Sequence, residues 1–133
     1  MADEKHIQYF LGANSPSGFY SLYDHLLPPE RANRFYILKG GPGCGKSTLM
    51  RQVAEMVEYT LCSGDPDSLD AILLPRLGVA IVDGTAPHVV EPKYPGAVEE
   101  YVNLGRAYQR EGLQEVKGEL MSCMTGYKGC YQR

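Results

Sequence analysis

Residues 34–48 read RFYILKGGPGCGKST and carry the strongest structural signal of this chain. Arg34–Lys39 is rich in aromatic and branched residues, which favours a strand. Gly40–Ser47 matches the pattern G-x-x-x-x-G-K-[ST] of a phosphate-binding loop, or P-loop. Apolar residues then recur at helical spacing over Lys46–Val57. A strand, a glycine loop and a helix in this order predict an α/β domain that binds phosphate at a helix N-terminus.

Each residue type in this loop has a physical reason. Glycines permit backbone dihedrals that a side chain blocks, so that backbone N–H groups can face phosphate oxygens. Lys46 is expected to bridge the β- and γ-phosphates, and the Ser47 hydroxyl is expected to ligate Mg²⁺. Thr48 is expected to contact the α-phosphate. The predicted nucleotide-binding residues are Gly40, Gly41, Pro42, Gly43, Cys44, Gly45, Lys46, Ser47 and Thr48.

A second acidic position follows the apolar run Val79–Val82. Asp83 comes directly after this run, and the carboxyl ends of strands in open α/β sheets are where ligands bind. The sequence therefore predicts that Asp83 and Ser47 hold Mg²⁺. The alternative is that Asp83 only forms a turn with Gly84, which is a common pairing.

The residues after Asp83 bear on catalysis. Many ATPases use a Glu directly after this Asp to polarise the attacking water, but Gly84 stands there. This leaves slow hydrolysis, phosphoryl transfer to a bound acceptor, or a base elsewhere. Thr85 and His88 follow at the same predicted edge of the sheet. His88 is a candidate base or phosphate sensor, with a plain surface role as the alternative. The predicted catalytic residues are Lys46, Asp83 and His88.

Three aspartates lie close together before the next apolar run. Asp65, Asp67 and Asp70 are candidates for a second Mg²⁺ contact or for an acceptor site. The alternative is that these side chains cap turns by hydrogen-bonding to the backbone, as Asp commonly does.

The rest of the chain predicts a mainly parallel sheet with flanking helices, because near-continuous apolar runs are typical of strands buried on both faces. The sheet is expected to be incomplete. The stripe formed by Leu113, Val116, Leu120, Met124, Tyr127 and Tyr131 is predicted to be helical and to face the core, with a partner-binding face as the alternative. Further strands are predicted at His6–Leu11, Glu58–Cys62, Asp70–Leu74 and Val79–Val82, further helices at Phe19–Leu27 and Ala97–Arg110, and loops at Ser63–Asp70 and Gly84–Gly96.

Composition limits the class of protein. With 133 residues, 22% charged, the chain suits one domain spanning residues 1–133. A net charge of -3 argues against nucleic acid as a partner. No signal peptide and no apolar run of membrane-spanning length are present, so the expected location is cytoplasmic, without a membrane partner. The four cysteines form no C-x-x-C pair, and reduced thiols are expected.

Three segments together resemble a family of poorly characterised bacterial P-loop ATP-binding proteins. They are Gly40–Thr48, Cys62–Asp70 with the sequence DPDSLD, and Val82–Pro92 with the sequence DGTAPH. The resemblance spans most of the chain and implies a P-loop NTPase-like α/β fold and ATP binding, with Lys46, Ser47, Thr48 and Asp83 in the roles given above. Members of the family look longer, so the chain is expected to be a fragment whose partner is a second P-loop half or another copy.

Three functions are consistent with these observations. The first is an ATPase that hydrolyses ATP with Mg²⁺. The second is a small-molecule or nucleotide kinase with its acceptor near Asp65–Asp70 or His88. The third is a nucleotide-binding module without catalysis. ATP is preferred over GTP because the Asn-Lys-x-Asp motif that reads guanine is not found in the sequence.

Overall fold

A six-stranded mixed sheet forms the centre of the fold in the computed structural model, which describes residues 7–53, 58–86 and 89–131. In chain order the strands are β1 (Ile7–Tyr9), β2 (Gly12–Ser15), β3 (Gly18–Ser21), β4 (Arg34–Lys39), β5 (Glu58–Leu61), β6 (Leu69–Leu74), β7 (Val79–Asp83) and β8 (Glu99–Asn103). The spatial order in the sheet is β1-β5-β6-β7-β4-β8, and β2 and β3 form a separate hairpin. The α/β class is therefore confirmed.

The prediction of a mainly parallel sheet is correct only in part. β1 pairs with β5, and β4 pairs with both β7 and β8, in parallel. β6 runs antiparallel to both of its neighbours. Its connections explain this difference, because parallel neighbours need a crossover of a dozen or more residues. The turn from β6 to β7 is short and ends at Gly78, whose φ of 60° favours glycine.

The helix after the glycine loop is confirmed as far as the structure describes it. This helix, α1, spans Lys46–Val53. Met50 is fully buried and packs with Ile72 of β6. Val53, which shares the helical apolar spacing, is 42% exposed. The rest of the predicted helix, residues 54–57, lies outside the described residues.

The predicted helix at Phe19–Leu27 is wrong. Gly18–Ser21 instead pairs antiparallel with Gly12–Ser15, and a 3₁₀ turn at Tyr23–His25 follows. Gly18 has a φ of 122°, which suits a hairpin and not a helix. The apolar periodicity was nevertheless informative about burial, since Tyr23, Leu26 and Leu27 all lie in the core.

The predicted helix at Ala97–Arg110 is also wrong. Glu99–Asn103 is a strand, and Leu104–Ala107 is a 3₁₀ helix. Tyr101 and Val102 are good strand formers. The free side of β4 offers a complete row of hydrogen-bonding groups, and β8 fills that side. The β8 strand was therefore not predicted, because pairing with the free edge of β4 outweighed the helical periodicity of the local sequence.

The C-terminal stripe is helical except at Val116, but the prediction that it faces the core is wrong. Two further helices are α2 (Arg110–Glu115) and α3 (Lys117–Tyr131). The stripe residues with described side chains are 38 to 50% exposed. They are Leu113, Val116, Leu120, Met124 and Tyr127. No helix within the described ranges is both long and apolar enough to cross a membrane.

Two apolar clusters cover the two faces of the sheet. One contains Tyr23, Phe35, Ile37 and Val82. The other contains Leu38, Met50, Leu69, Ile72 and Ile81, so α1 covers this face. The glycine loop leaves the carboxyl end of β4, and β7 ends beside it. Because β6 is antiparallel to β7, its first residues lie at the same edge.

Candidate functional site

The glycine loop turns the chain sharply from β4 into α1. Gly43 and Gly45 have φ values of 74° and 88°, in the left-handed region that residues with a side chain rarely adopt. A Cβ atom at Gly40 would lie 2.5 Å from the Cys44 sulfur. α1 begins at Lys46, and the first backbone N–H groups of a helix have no partner inside the helix. The loop therefore brings a helix N-terminus to the carboxyl edge of the sheet.

Lys46 is buried at the base of this loop and is held by oxygen atoms. Its ammonium donates hydrogen bonds to the carbonyls of Gly40 at 2.7 Å and Gly41 at 3.1 Å. Asp83 Oδ2 lies 3.4 Å from Lys46 Nζ, and the two side chains are only 13% and 9% exposed. An ion pair this well shielded from water interacts strongly, because little solvent screens it.

Asp83 is held at the end of β7 by the residues that follow it. Its Oδ1 accepts a hydrogen bond from the backbone N–H of Thr85 at 2.8 Å. The Thr85 hydroxyl donates to the carbonyl of Gly40 at 3.0 Å. The turn predicted as the alternative role of Asp83 is thus present, together with the contact to Lys46. Thr85 connects the end of β7 to the start of the glycine loop.

Ser47 connects the same loop to β6. Its hydroxyl donates to the carbonyl of Leu69 and accepts from the N–H of Leu69, both at 3.1 Å. A hydroxyl has one proton and two lone pairs. One lone pair of Ser47 therefore remains for a cation.

A pocket of about 420 Å³ opens above these groups. The glycine loop forms one wall, and the Cys62–Asp65 segment and the residues after Asp83 form others. Tyr127 of α3 and Asn14 of the hairpin also line it. Of the predicted nucleotide-binding residues, the pocket is lined by Pro42, Gly43, Cys44, Gly45, Lys46, Ser47 and Thr48.

The three aspartates between Asp65 and Asp70 lie in two different environments. Asp65 forms a turn, accepting hydrogen bonds from the Asp67 N–H at 3.2 Å and from the Ser68 hydroxyl at 2.8 Å. Arg51 of α1 donates to the Asp67 carbonyl. The capping role that was the alternative for these aspartates is therefore confirmed for Asp65.

Asp70 differs from Asp65 and Asp67 because it is buried. It lies in β6, is 3% exposed and lines the pocket. The Tyr23 hydroxyl donates a hydrogen bond to Asp70 Oδ2 at 2.8 Å. Burial, and then the nearby Asp70 carboxylate, hold the pKa of the Tyr23 phenol far above its usual value. Tyr23 therefore remains a neutral donor.

Sequence reasoning did not place Tyr23 at this site. Tyr23 comes from the 3₁₀ turn after the hairpin, 47 positions before its partner. A tyrosine on an apolar stripe was the one available signal, because a buried Tyr hydroxyl usually has a hydrogen-bond partner. The sequence offered no way to identify that partner.

The donor set at the base of the pocket suits Mg²⁺ bound together with phosphates. Within the described residues, no group of three or more His, Cys, Asp or Glu side chains is arranged to hold a metal. Mg²⁺ does not need such a cage, since it commonly takes one or two carboxylates with substrate phosphates and waters. Ser47 and Asp83 supply a hydroxyl and a carboxylate at the same edge. His88, the third predicted catalytic residue, lies outside the described residues.

Comparisons of the chain with protein-family models, with curated proteins and with solved structures give no match.

Proposed function

We propose that this protein binds ATP with Mg²⁺ through the loop Gly40–Ser47 and hydrolyses it. One observation carries the proposal: a sequence that matches the phosphate-binding pattern adopts a tight turn between a strand and a helix, with Lys46 buried at its base. Two left-handed glycines and a helix N-terminus support the same assignment.

Phosphate binding would exchange the partners of Lys46. The ammonium now contacts the loop carbonyls and Asp83. The β- and γ-phosphates are anionic, so their oxygens would replace the neutral carbonyls and give stronger, charge-assisted hydrogen bonds. The loop N–H groups would hold the same phosphates.

Ser47 and Asp83 would hold Mg²⁺ between them and the phosphates. The bound ion would neutralise charge on the phosphates and orient the γ-phosphate. Asp83 is fixed for this role by the Thr85 N–H, and Ser47 is fixed by Leu69. Both side chains therefore approach the cation site without a large loss of conformational freedom.

Slow turnover is expected from this site. Efficient enzymes of this kind place an arginine on the charge that develops at the γ-phosphate. No arginine in the part of the chain that the structure describes lines the pocket. Hydrolysis is accordingly expected at a rate well below the typical enzyme value of about 10 s⁻¹.

Phosphate release tests this function. The protein is incubated with ATP and Mg²⁺, and both ADP and inorganic phosphate are measured over time. We expect equal amounts of the two products and no reaction when EDTA removes the metal. ADP without free phosphate would indicate transfer to an acceptor, which is the kinase alternative. Bound ATP with no ADP would indicate a binding module and contradict the hydrolase.

A further inference from the structure

A β-bulge at the start of β6 places Asp70 out of the regular alternation of the strand. Thr60 of β5 pairs with Ala71, but the next pair joins Leu61 to Leu69, so that the register passes over Asp70. Bulges disturb the alternation of side chains and often aim one of them toward an active site.

The packing on the two faces shows the effect of this bulge. Leu69 and Ile72 both pack in the Met50 cluster, although regular alternation would put them on opposite faces. Asp70, between Leu69 and Ala71, contacts Tyr23, which belongs to the cluster on the other face. The bulge thus lets Leu69 remain in the core while Asp70 reaches the pocket.

Asp70 and Asp83 line the same pocket but have different surroundings. Asp83 contacts the ammonium of Lys46 and a backbone N–H. Asp70 accepts a hydrogen bond from the Tyr23 hydroxyl, which is neutral. Burial, and in addition the Asp70 carboxylate, raise the pKa of the nearby Cys62 thiol, which keeps that neighbour neutral as well. Two carboxylates in unlike surroundings are commonly divided between different roles in catalysis.

We propose that Asp70, held by Tyr23 on the bulge of β6, is the general base that accepts the proton of the attacking water. The inference rests on the proposed hydrolysis of ATP, and it supplies the base that the sequence lacks after Asp83. Tyr23 is a positioning residue, because its hydroxyl orients the Asp70 carboxylate.

The water oxygen forms a bond to the γ-phosphorus while the bond from that phosphorus to the bridging oxygen breaks. The electron pair of the broken bond leaves on ADP, and the water proton passes to the Asp70 carboxylate. Asp70 returns the proton to solvent after inorganic phosphate departs. No oxidant, reductant or further reactant is needed.

Substitution of Asp70 by Asn tests the proposal. The amide keeps the size of the carboxylate and still accepts the Tyr23 hydrogen bond, but it cannot act as the base. We expect kcat to fall about 100- to 10,000-fold, while the Kd for ATP with Mg²⁺ changes less than about threefold. Glu100→Gln is the control, because Glu100 is exposed, lies in a strand and does not line the pocket; its kcat should equal that of the wild type.

Two further variants keep the test decisive. Tyr23→Phe should lower kcat and leave KM unchanged. The substitution removes the hydrogen bond that orients the Asp70 carboxylate, and it leaves the phosphate contacts intact. Asp70→Ala should regain turnover when formate is added, because a small carboxylate can replace the missing one. Tyr23→Phe with unchanged kcat would overturn the positioning role.

Other outcomes would overturn the assignment of Asp70. Wild-type turnover in Asp70→Asn would show that Asp70 is not the general base, but it would not contradict the proposed hydrolysis of ATP. Loss of Mg²⁺-dependent ATP binding in Asp70→Asn would make Asp70 a cation ligand. Wild-type protein that binds ATP without releasing phosphate would overturn both the base and the proposed hydrolysis.

Discussion

Lys46→Ala should bind ATP about 10- to 100-fold more weakly than the wild type. Hydrogen bonds to charged groups contribute about 1.5–3 kcal/mol, and about 1.4 kcal/mol corresponds to a tenfold change in Kd. The substitution also leaves Asp83 without the ammonium that lies 3.4 Å away. An uncompensated carboxylate beside the phosphates would repel them, which adds to the loss. Isothermal titration calorimetry with ATP and Mg²⁺ measures this effect.

Lys93→Ala is the matched control for this result. It removes the same charge from an exposed side chain, which pairs with Asp24 and does not line the pocket. Its Kd for ATP should stay within about twofold of the wild-type value, because charges at the protein surface are screened by salt. Equal loss of affinity in both variants would mean that net charge, and not the buried ammonium, controls binding.

Asp83→Asn should remove most of the dependence of ATP binding on Mg²⁺. The amide oxygen can still accept the Thr85 N–H, so the turn after β7 should persist. Loss of the carboxylate charge weakens binding of the cation. We therefore expect the affinity for ATP in the presence of Mg²⁺ to fall about 10-fold or more. Binding without Mg²⁺ should stay the same or improve, because one negative charge near the phosphates is gone. Titrations with ATP in the presence of Mg²⁺ and of EDTA separate the two effects.

Asp24→Asn provides the comparison for this variant. Asp24 carries the same charge, but its side chain is 64% exposed and pairs with Lys93. It should show the full Mg²⁺ dependence of the wild type. A Mg²⁺ dependence that survives unchanged in Asp83→Asn would disprove the role given to that carboxylate.

The glycine loop and its flanking elements could be predicted because their signals are local. Arg34–Lys39, Gly40–Ser47 and the first two turns of α1 each carry a pattern that neighbouring residues complete. Asp83 could be placed as well, because a polar residue after a buried strand lies at the carboxyl edge in any α/β sheet.

The predictions that were wrong concern elements whose structure depends on contacts between distant segments of the chain. Glu99–Asn103 has a spacing compatible with either a helix or a strand, and pairing with β4 decided the outcome. Gly18–Ser21 became a strand through pairing with Gly12–Ser15. The apolar stripe of α3 predicted a helix correctly, but periodicity does not reveal whether another element covers that face.

The role of Asp70 within the site likewise could not be predicted from local sequence patterns. Its position in an acidic segment suggested either a ligand or a cap. The bulge that separates it from Leu69, and the hydrogen bond from Tyr23, arise from three elements that meet only in the folded chain. The difference between Asp70 and Asp65 is therefore one of packing, which sequence spacing does not encode.

The central claim is that the loop binds the phosphates, and competition against bound ATP measures this most directly. Fluorescent ATP is displaced from the wild-type protein, in the presence of Mg²⁺, by inorganic tripolyphosphate and separately by adenosine. We expect tripolyphosphate to displace ATP at a single site, and adenosine to displace it only at far higher concentrations. Displacement by adenosine with no effect of tripolyphosphate would contradict phosphate binding by Gly40–Ser47.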